Sequence, residues 1–416
     1  MKRIFPTILM CLLLVLPLSA QPHTETSSTD SVQSQASVPT ADSVCVSLLT
    51  CTAGTEVYEY YGHFALRLRY TLPHRTDDWV FNYGIFSFAQ PHFIWRFLLG
   101  HTDYQLGVLP YSLFYDSYAR CGRGIIEQKL NLTPEECRKL VAALEENVRP
   151  ENATYRYNFF YDNCTTRPIH LVENVIDGQV EWPTADPSKT LRDIVHQYAA
   201  VSPWNQFGQD LLLGSEADRP ADIHKQMFAP LYAEQFIGKA SIRDKQGHLR
   251  PLAQPAITLL PAQPMPQESQ FPITPLWAFG ILLALTVAIS AVELVKRTYY
   301  WGFDVVLLIA QGLTGCVIAF LFFFSTHPTV GSNWLVALFN PLPLLLFPWF
   351  MKSAVARRFS RTMYVQGMML AVTLAAGVFG WQYFPAEVYL IAATLLVRVC
   401  EHARQTLPVF TSKTSH

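Results

Sequence analysis

Tyr155-Arg156-Tyr157-Asn158-Phe159-Phe160-Tyr161-Asp162-Asn163-Cys164-Thr165-Thr166-Arg167 opens as an aromatic, strand-like run and breaks at the polar pair Asp162-Asn163. Downstream, Ile169, Val172 and Ile176 recur at the spacing of one helix face. Cys164 thus stands where an extended segment gives way to a helix. There the free N–H groups and the positive end of the helix dipole both favour the nucleophilic thiolate. Pro168 would be the fifth residue of a helix begun at Cys164 and would clash with the preceding turn. The sequence therefore predicts a tight turn at Cys164 and a regular helix from Pro168.

Such a nucleophile needs a base, and Tyr60-Tyr61-Gly62-His63-Phe64-Ala65-Leu66-Arg67 offers one. From about Tyr58, apolar Tyr60, Phe64, Leu66 and Leu68 alternate with Tyr61, His63, Ala65, Arg67 and Arg69. That period predicts a strand with one apolar and one mixed face, with His63 on the mixed one. Gly62 marks a close approach of backbone or ligand. A second strand, Trp79 to Ile85, carries Asn82, which can orient the imidazole as the third member of a nucleophile–base–orienter set.

The plainer readings are weighed beside these. A cysteine in an exported domain is more often a small buried hydrophobe or half a disulfide. A lone histidine is more often a satisfied strand residue, and Asn82 is as often an edge or turn residue. The polar neighbours Asp162, Asn163, Thr165 and Thr166 move Cys164 toward chemistry. Tyr61, Tyr161 and Asn163 are secondary candidates for oxyanion or substrate contacts. Arg67 and Arg167 are candidates for phosphate head groups, although a solvated face is the commoner explanation.

Around this pair the 416-residue chain divides by composition. Lys2 and Arg3 precede an apolar stretch from Ile8 to Leu18 and small Ser19 and Ala20, the pattern of a secretory signal over 1–20. Residues 21–41 are Ser-, Thr- and Gln-rich and cannot build a core, so a flexible tether is expected. The exported domain spans 42–262. In it we expect a helix at 90–99, strands at 104–109 and 124–132, and a helix from Pro134 to Asn147 opened by the capping box Thr133-Pro134-Glu135-Glu136. A Pro- and Gln-rich linker, 263–272, would keep this domain within roughly 20 Å of the first span.

Five apolar segments follow over 273–404, near Leu276–Val295, Phe303–Phe324, Trp334–Met351, Met363–Tyr383 and Val388–Val399, with a tail at 405–416. The third is broken by Asn340-Pro341-Leu342-Pro343. The fifth carries Arg398, placed to snorkel to the interface. Lys and Arg follow the first, third and fifth segments and are missing from 325–332 and 382–387. The positive-inside rule thus puts the exported domain in the periplasm of an inner-membrane protein and the C-terminus in the cytoplasm.

The net charge of −1 gives no sign of nucleic-acid binding. Of eight cysteines, Cys45, Cys51, Cys121, Cys137 and Cys164 fall in the exported domain. Their odd number leaves at least one unpaired in an oxidising compartment. No cysteine spacing suits zinc, and no nucleotide-binding glycine pattern occurs, so neither a metal nor a cofactor is expected.

The order Gly-His on a strand, a second strand, then Asn-Cys at a helix start resembles the circularly permuted papain-like group. That group includes lecithin:retinol acyltransferase relatives and permuted NlpC/P60 hydrolases. Tyr-Gly-His-Phe-Ala-Leu-Arg-Leu (61–68), Phe-Asn-Tyr-Gly (81–84), Tyr-Asn-Phe-Phe-Tyr-Asp-Asn-Cys-Thr-Thr-Arg (157–167) and five C-terminal spans together resemble the Lnb-type lipoprotein N-acyltransferases. The resemblance implies an α+β, permuted papain-like periplasmic domain followed by an all-α five-helix transmembrane domain. It implies His63 as base and Cys164 as acyl-carrying nucleophile, a membrane phospholipid as acyl donor, and a diacylated lipoprotein as acceptor. Two other classes stay open: a hydrolase of the same fold (phospholipase, or peptidoglycan amidase-endopeptidase) and a non-enzymatic membrane scaffold. The scaffold predicts a dispensable Cys164 side chain.

Overall fold

The computed structural model describes residues 44–72, 75–87, 90–264 and 271–406, so the expected signal and tether lie outside the described residues. The chain forms two compact units. One spans the N-terminal region to Lys189 together with Pro220–Glu268; the other joins Thr190–Arg219 to the chain from Ser269 onward.

The first unit is built on a seven-stranded, wholly antiparallel sheet. Its strands are β1 (Val44–Cys51), β2 (His63–Leu72), β3 (Arg75–Ile85), β4 (Asp103–Pro110), β5 (Ile125–Lys129) and β6 (Thr154–Arg156). A small sheet of β7 (Gly178–Glu181), β8 (Ser241–Asp244) and β9 (Leu249–Pro251) sits apart, and β10 (Ile257–Leu260) returns to the edge of the large one. The order in the large sheet is β10-β5-β1-β2-β3-β4-β6.

Between these strands lie α1 (Phe93–Leu98), α2 (Tyr111–Arg120), α3 (Pro134–Val148) and α4 (Thr166–Val175). The start of α3 is set as the sequence predicts. Thr133 Oγ1 accepts from Glu136 N–H, the Glu136 carboxylate accepts from Thr133 N–H, and Pro134 takes the first helical position. From α3, Leu140 and Leu144 pack with Phe64, Leu66 and Phe81 of the sheet and with Ile169 and Val172 of α4.

Two expectations about β2 need correction. The strand carrying His63 begins at His63 itself, because Val57–Glu59 forms a 3-10 turn instead of extended chain. Its second face is also not solvated. Ala65 packs with Leu49, Val80, Ile125 and Phe114 of α2. Arg67 is 7 % exposed on that face. It is tolerated there because Asp78 and Glu127 accept from its guanidinium and the Tyr111 ring lies 3.4 Å from its centre.

In the second unit, α5 (Leu191–Ala199) and α6 (Pro203–Leu212) accompany α7 (Pro275–Lys296), α8 (Trp301–Phe324), α9 (Leu335–Leu338), α10 (Leu342–Leu345), α11 (Phe347–Val355), α12 (Arg361–Val378) and α13 (Ala386–Thr406). Among the described residues α7 and α8 are long and apolar enough to cross a bilayer. The stretch from α9 to α11, bent by 71°, makes a third span if it counts as one.

The bend falls between Leu345 and Phe347, and Asn340-Pro341-Leu342-Pro343 makes a separate break between α9 and α10. Asn340 donates to Ala337 O and accepts from Leu342 N–H, while Gln311 donates to Leu338 O, so the freed backbone is re-satisfied inside the protein. Arg398 does not snorkel. It is 2 % exposed and donates to Glu293 and Asp304, since turning inward to two carboxylates satisfies a guanidinium better than a lipid-facing position.

Thr190–Arg219 is bound to the loops between these helices. Asn333 donates to Leu211 O, Gln382 to Leu213 O, Ser215 to Ser332 O, and Tyr383 N–H to Asp218. Arg192, 2 % exposed, ties α5 to Asp210 and Asp218.

Candidate functional site

The site lies where the β2–β3 ladder opens. Paired residues end at Leu66↔Phe81, although β2 starts three residues earlier and β3 runs on to Ile85. Continuing that register sets His63 opposite Gly84. The β3–β4 register also slips between Asn82 and Ile85, and Gly84 takes φ +93, a value that favours glycine. The notch receives Cys164: a Cβ added at Gly84 would lie 3.4 Å from the Cys164 Cβ.

Asn163 holds the turn that presents the thiol. It is 3 % exposed, and its Oδ1 accepts from Thr165 N–H (2.8 Å) and Thr166 N–H (2.9 Å). Its Nδ2 donates to Phe159 O (2.8 Å) and Phe228 O (3.0 Å), and its own N–H donates to Thr166 Oγ1 (2.8 Å). The helix begins at Thr166 and not at Pro168. Pro168 is accommodated because in the first turn its missing N–H would have had no partner.

His63 Nε2 lies 2.5 Å from Asn82 Oδ1. A carbonyl oxygen accepts, so this bond places the ring proton on Nε2 and leaves Nδ1 as an acceptor. Burial drives the imidazole down to about 4, the Asn82 bond opposing and the Arg123 charge assisting. Burial likewise raises the Cys164 thiol above its ordinary value. The N–H groups of Phe64 and of Cys164 itself, the Thr165 hydroxyl and the Arg123 charge oppose that rise without overcoming it. The resting pair is therefore thiol and neutral imidazole. The helix-end preference for thiolate loses to desolvation. Among the described residues Cys164 makes no hydrogen bond to His63; its side-chain hydrogen-bond partner is Thr165 Oγ1 at 3.9 Å.

The structure brings Cys164, His63 and Asn82 to one end of the sheet and distributes the secondary candidates around them. Tyr61 packs edge-on to Phe159 and lies near Phe228. Arg167 is held by Asp162 through two hydrogen bonds and lies over the Tyr155 ring. With Tyr161, Asp162, Tyr83, Asn147 and His170 it lines an open polar cleft of about 400 Å³. Arg67 is paired with Asp78 and Glu127 further along β2, and Asn163 is committed to backbone.

Sequence reading gave no role to Gly84, the residue that makes room for the thiol, although it closes the Phe-Asn-Tyr-Gly stretch (81–84). All seven described cysteines are free thiols, so the parity of their number singled out none of them. Among the described residues no group of three His, Cys, Asp or Glu side chains is placed to hold a metal ion.

Two family models match the chain: residues 33–197 match the Lnb N-terminal periplasmic domain, and residues 266–408 match the Lnb transmembrane domain. Neither a curated protein nor a solved structure matches it. The two matches follow in the order the architecture requires, cover most of the chain, and agree with a mixed α/β unit followed by apolar helices. The chain belongs to the Lnb family and is an inner-membrane protein with a periplasmic N-terminal domain.

Proposed function

We propose that this protein is a cysteine-dependent lipoprotein N-acyltransferase. The observation that carries the reading is Cys164, seated at a helix start in the notch beside Gly84, next to a His63–Asn82 pair, in a chain that also spans the membrane. The arrangement is that of a permuted papain-like site, with histidine preceding cysteine and asparagine orienting the ring.

In the first half-reaction Cys164 Sγ attacks the ester carbonyl of a phospholipid while His63 Nδ1 takes the thiol proton. The tetrahedral adduct collapses, the carbon–oxygen bond to glycerol breaks, and the leaving alkoxide takes the proton from His63. In the second, the α-amine of a diacylglyceryl-cysteine lipoprotein attacks the thioester and gives up a proton to His63. The carbon–sulfur bond breaks, and the thiolate recovers the proton. A neutral resting pair suits this order, since the thiol needs to ionise only as the ester arrives. Both substrates are confined to the membrane surface by their own acyl chains, which raises their effective concentration without tight polar recognition.

The topology follows from charge. Residues 325–332 and 382–387 carry no Lys or Arg. The hydrogen bonds of Thr190–Arg219 fall on Ser332, Asn333, Gln382 and Tyr383, which supports placing those loops on the periplasmic side and the C-terminus in the cytoplasm.

The test is mass spectrometry of lipoprotein N-terminal peptides from cells with and without the gene. We expect diacylated peptides with a free α-amine in its absence, and the third chain restored by wild type but not by Cys164→Ser or His63→Ala. Each of these losses should amount to several orders of magnitude, and together they should not add. Identical acylation in both strains would reject the transferase and leave a lipid hydrolase of the same site. Full activity in Cys164→Ala would leave the scaffold.

A further inference from the structure

Beside the nucleophile stands a group that neither the sequence nor the catalytic pair uses. Tyr155, on β6, is 7 % exposed, and its hydroxyl has no hydrogen-bond partner among the described residues. The ring is fixed on two sides. The Arg167 guanidinium lies 3.6 Å over its face, and Tyr83 meets it edge-on at 6.3 Å. The hydroxyl points to the notch beside Gly84. A Cβ added there would lie 3.9 Å from Tyr155 Oη and 3.4 Å from Cys164 Cβ. Both atoms thus lie within 4 Å of one point, so they are no more than about 7 Å apart.

A buried hydroxyl left unpaired is unfavourable in the empty protein and gains a full hydrogen bond when an acceptor enters. On the acyl-transfer reading, the acceptor brought to this notch is the carbonyl oxygen of the acyl group taken up by Cys164.

We propose that the Tyr155 hydroxyl donates to that oxygen and stabilises the oxyanion formed when Cys164 attacks. The proposal rests on the acyl-transfer reading and adds to it the group that polarises an ester or thioester carbonyl. As the sulfur–carbon bond forms, the carbonyl π pair moves onto oxygen, the thiol proton passes to His63, and the oxyanion accepts from Tyr155 O–H. On collapse the carbonyl re-forms and the leaving alkoxide takes the proton from His63, so Tyr155 keeps its own proton throughout. Burial and the neighbouring Cys164 hold the phenol above the ordinary tyrosine range, which keeps it a donor.

The experiment compares full-length wild type with Tyr155→Phe in detergent by two reactions at the same sulfur. Acylation of Cys164 by a p-nitrophenyl fatty ester passes through an oxyanion; alkylation by iodoacetamide does not. Both are followed by mass spectrometry of the Cys164 peptide. The substitution keeps the ring, its neighbours and the fold, since it removes a hydroxyl with no partner among the described residues. We expect acylation to slow by about 10²–10³-fold, the usual cost of one oxyanion donor, and alkylation to change less than about twofold. Acylation at the wild-type rate, or an equal fall in both reactions, overturns the proposal. Wild type that is alkylated but acylated by no ester rejects the acyl-transfer reading itself. Normal ester acylation with unchanged lipoproteins in cells rejects the acceptor alone and leaves the Tyr155 result standing.

Discussion

Asn163→Ala separates two readings of a residue that sequence alone placed among the substrate contacts. In the structure its amide bonds Thr165 N–H, Thr166 N–H, Phe159 O and Phe228 O, all at 2.8–3.0 Å. Alanine leaves four backbone groups without these partners, in a place where Thr165 is fully buried and Thr166 is 5 % exposed. An unsatisfied buried group costs about 1–3 kcal/mol, and loss of an asparagine cap alone costs about 1 kcal/mol. Allowing for relaxation, the change should cost about 3–5 kcal/mol, a large share of a domain's stability. For a domain of this size that is a fall of about 10 °C in Tm.

Asn163→Asp keeps the acceptor for the two N–H groups but loses the donor to the two carbonyls, so it should fall between alanine and wild type. The assay is thermal unfolding of the full-length protein in detergent, followed by tryptophan fluorescence, in parallel with Cys164 acylation. A Tm unchanged within about 1 °C, with acylation lost, would refute this reasoning and return Asn163 to the substrate.

Other outcomes follow from the same geometry. Iodoacetamide modification of the Cys164 peptide should keep rising with pH beyond the ordinary thiol range, because burial raises the thiol; a plateau reached below pH 6 would reveal a thiolate–imidazolium pair instead. His63, held at about 4 against an unfolded value near 6.5, is protonated in the unfolded chain before the folded one. Its contribution to stability is therefore complete above pH 6.5 and falls by about 3 kcal/mol between 6.5 and 4, a slope that His63→Ala should remove from acid unfolding curves. Gly84→Ala forces a side chain into φ +93 and into the notch beside Cys164. It should cost about 1–2 kcal/mol and slow Cys164 acylation more than tenfold; wild-type acylation would show that the notch is not where the acyl group sits.

Local chemistry was readable from the chain. The capping box at Thr133 depends on residues three apart, and the apolar runs on stretches of some twenty, so neither needs tertiary context. The candidate nucleophile was legible for the same reason: a polar break followed by helix spacing is written within a dozen residues around Cys164.

Contacts between distant segments decided the rest. Alternation around His63 marked one face as mixed, but whether Arg67 met water depended on Asp78, Glu127 and Tyr111 arriving from elsewhere. The position of Thr190–Arg219 among the membrane helices depends on hydrogen bonds to loops more than a hundred residues away. The charge state of the site reversed because helix-end stabilisation is local, whereas desolvation is the sum of everything packed around the thiol and the ring. Tyr155 looked like one aromatic among many; only the folding of β3 and β6 against the Cys164 turn leaves its hydroxyl buried, without a partner among the described residues, and beside the nucleophile.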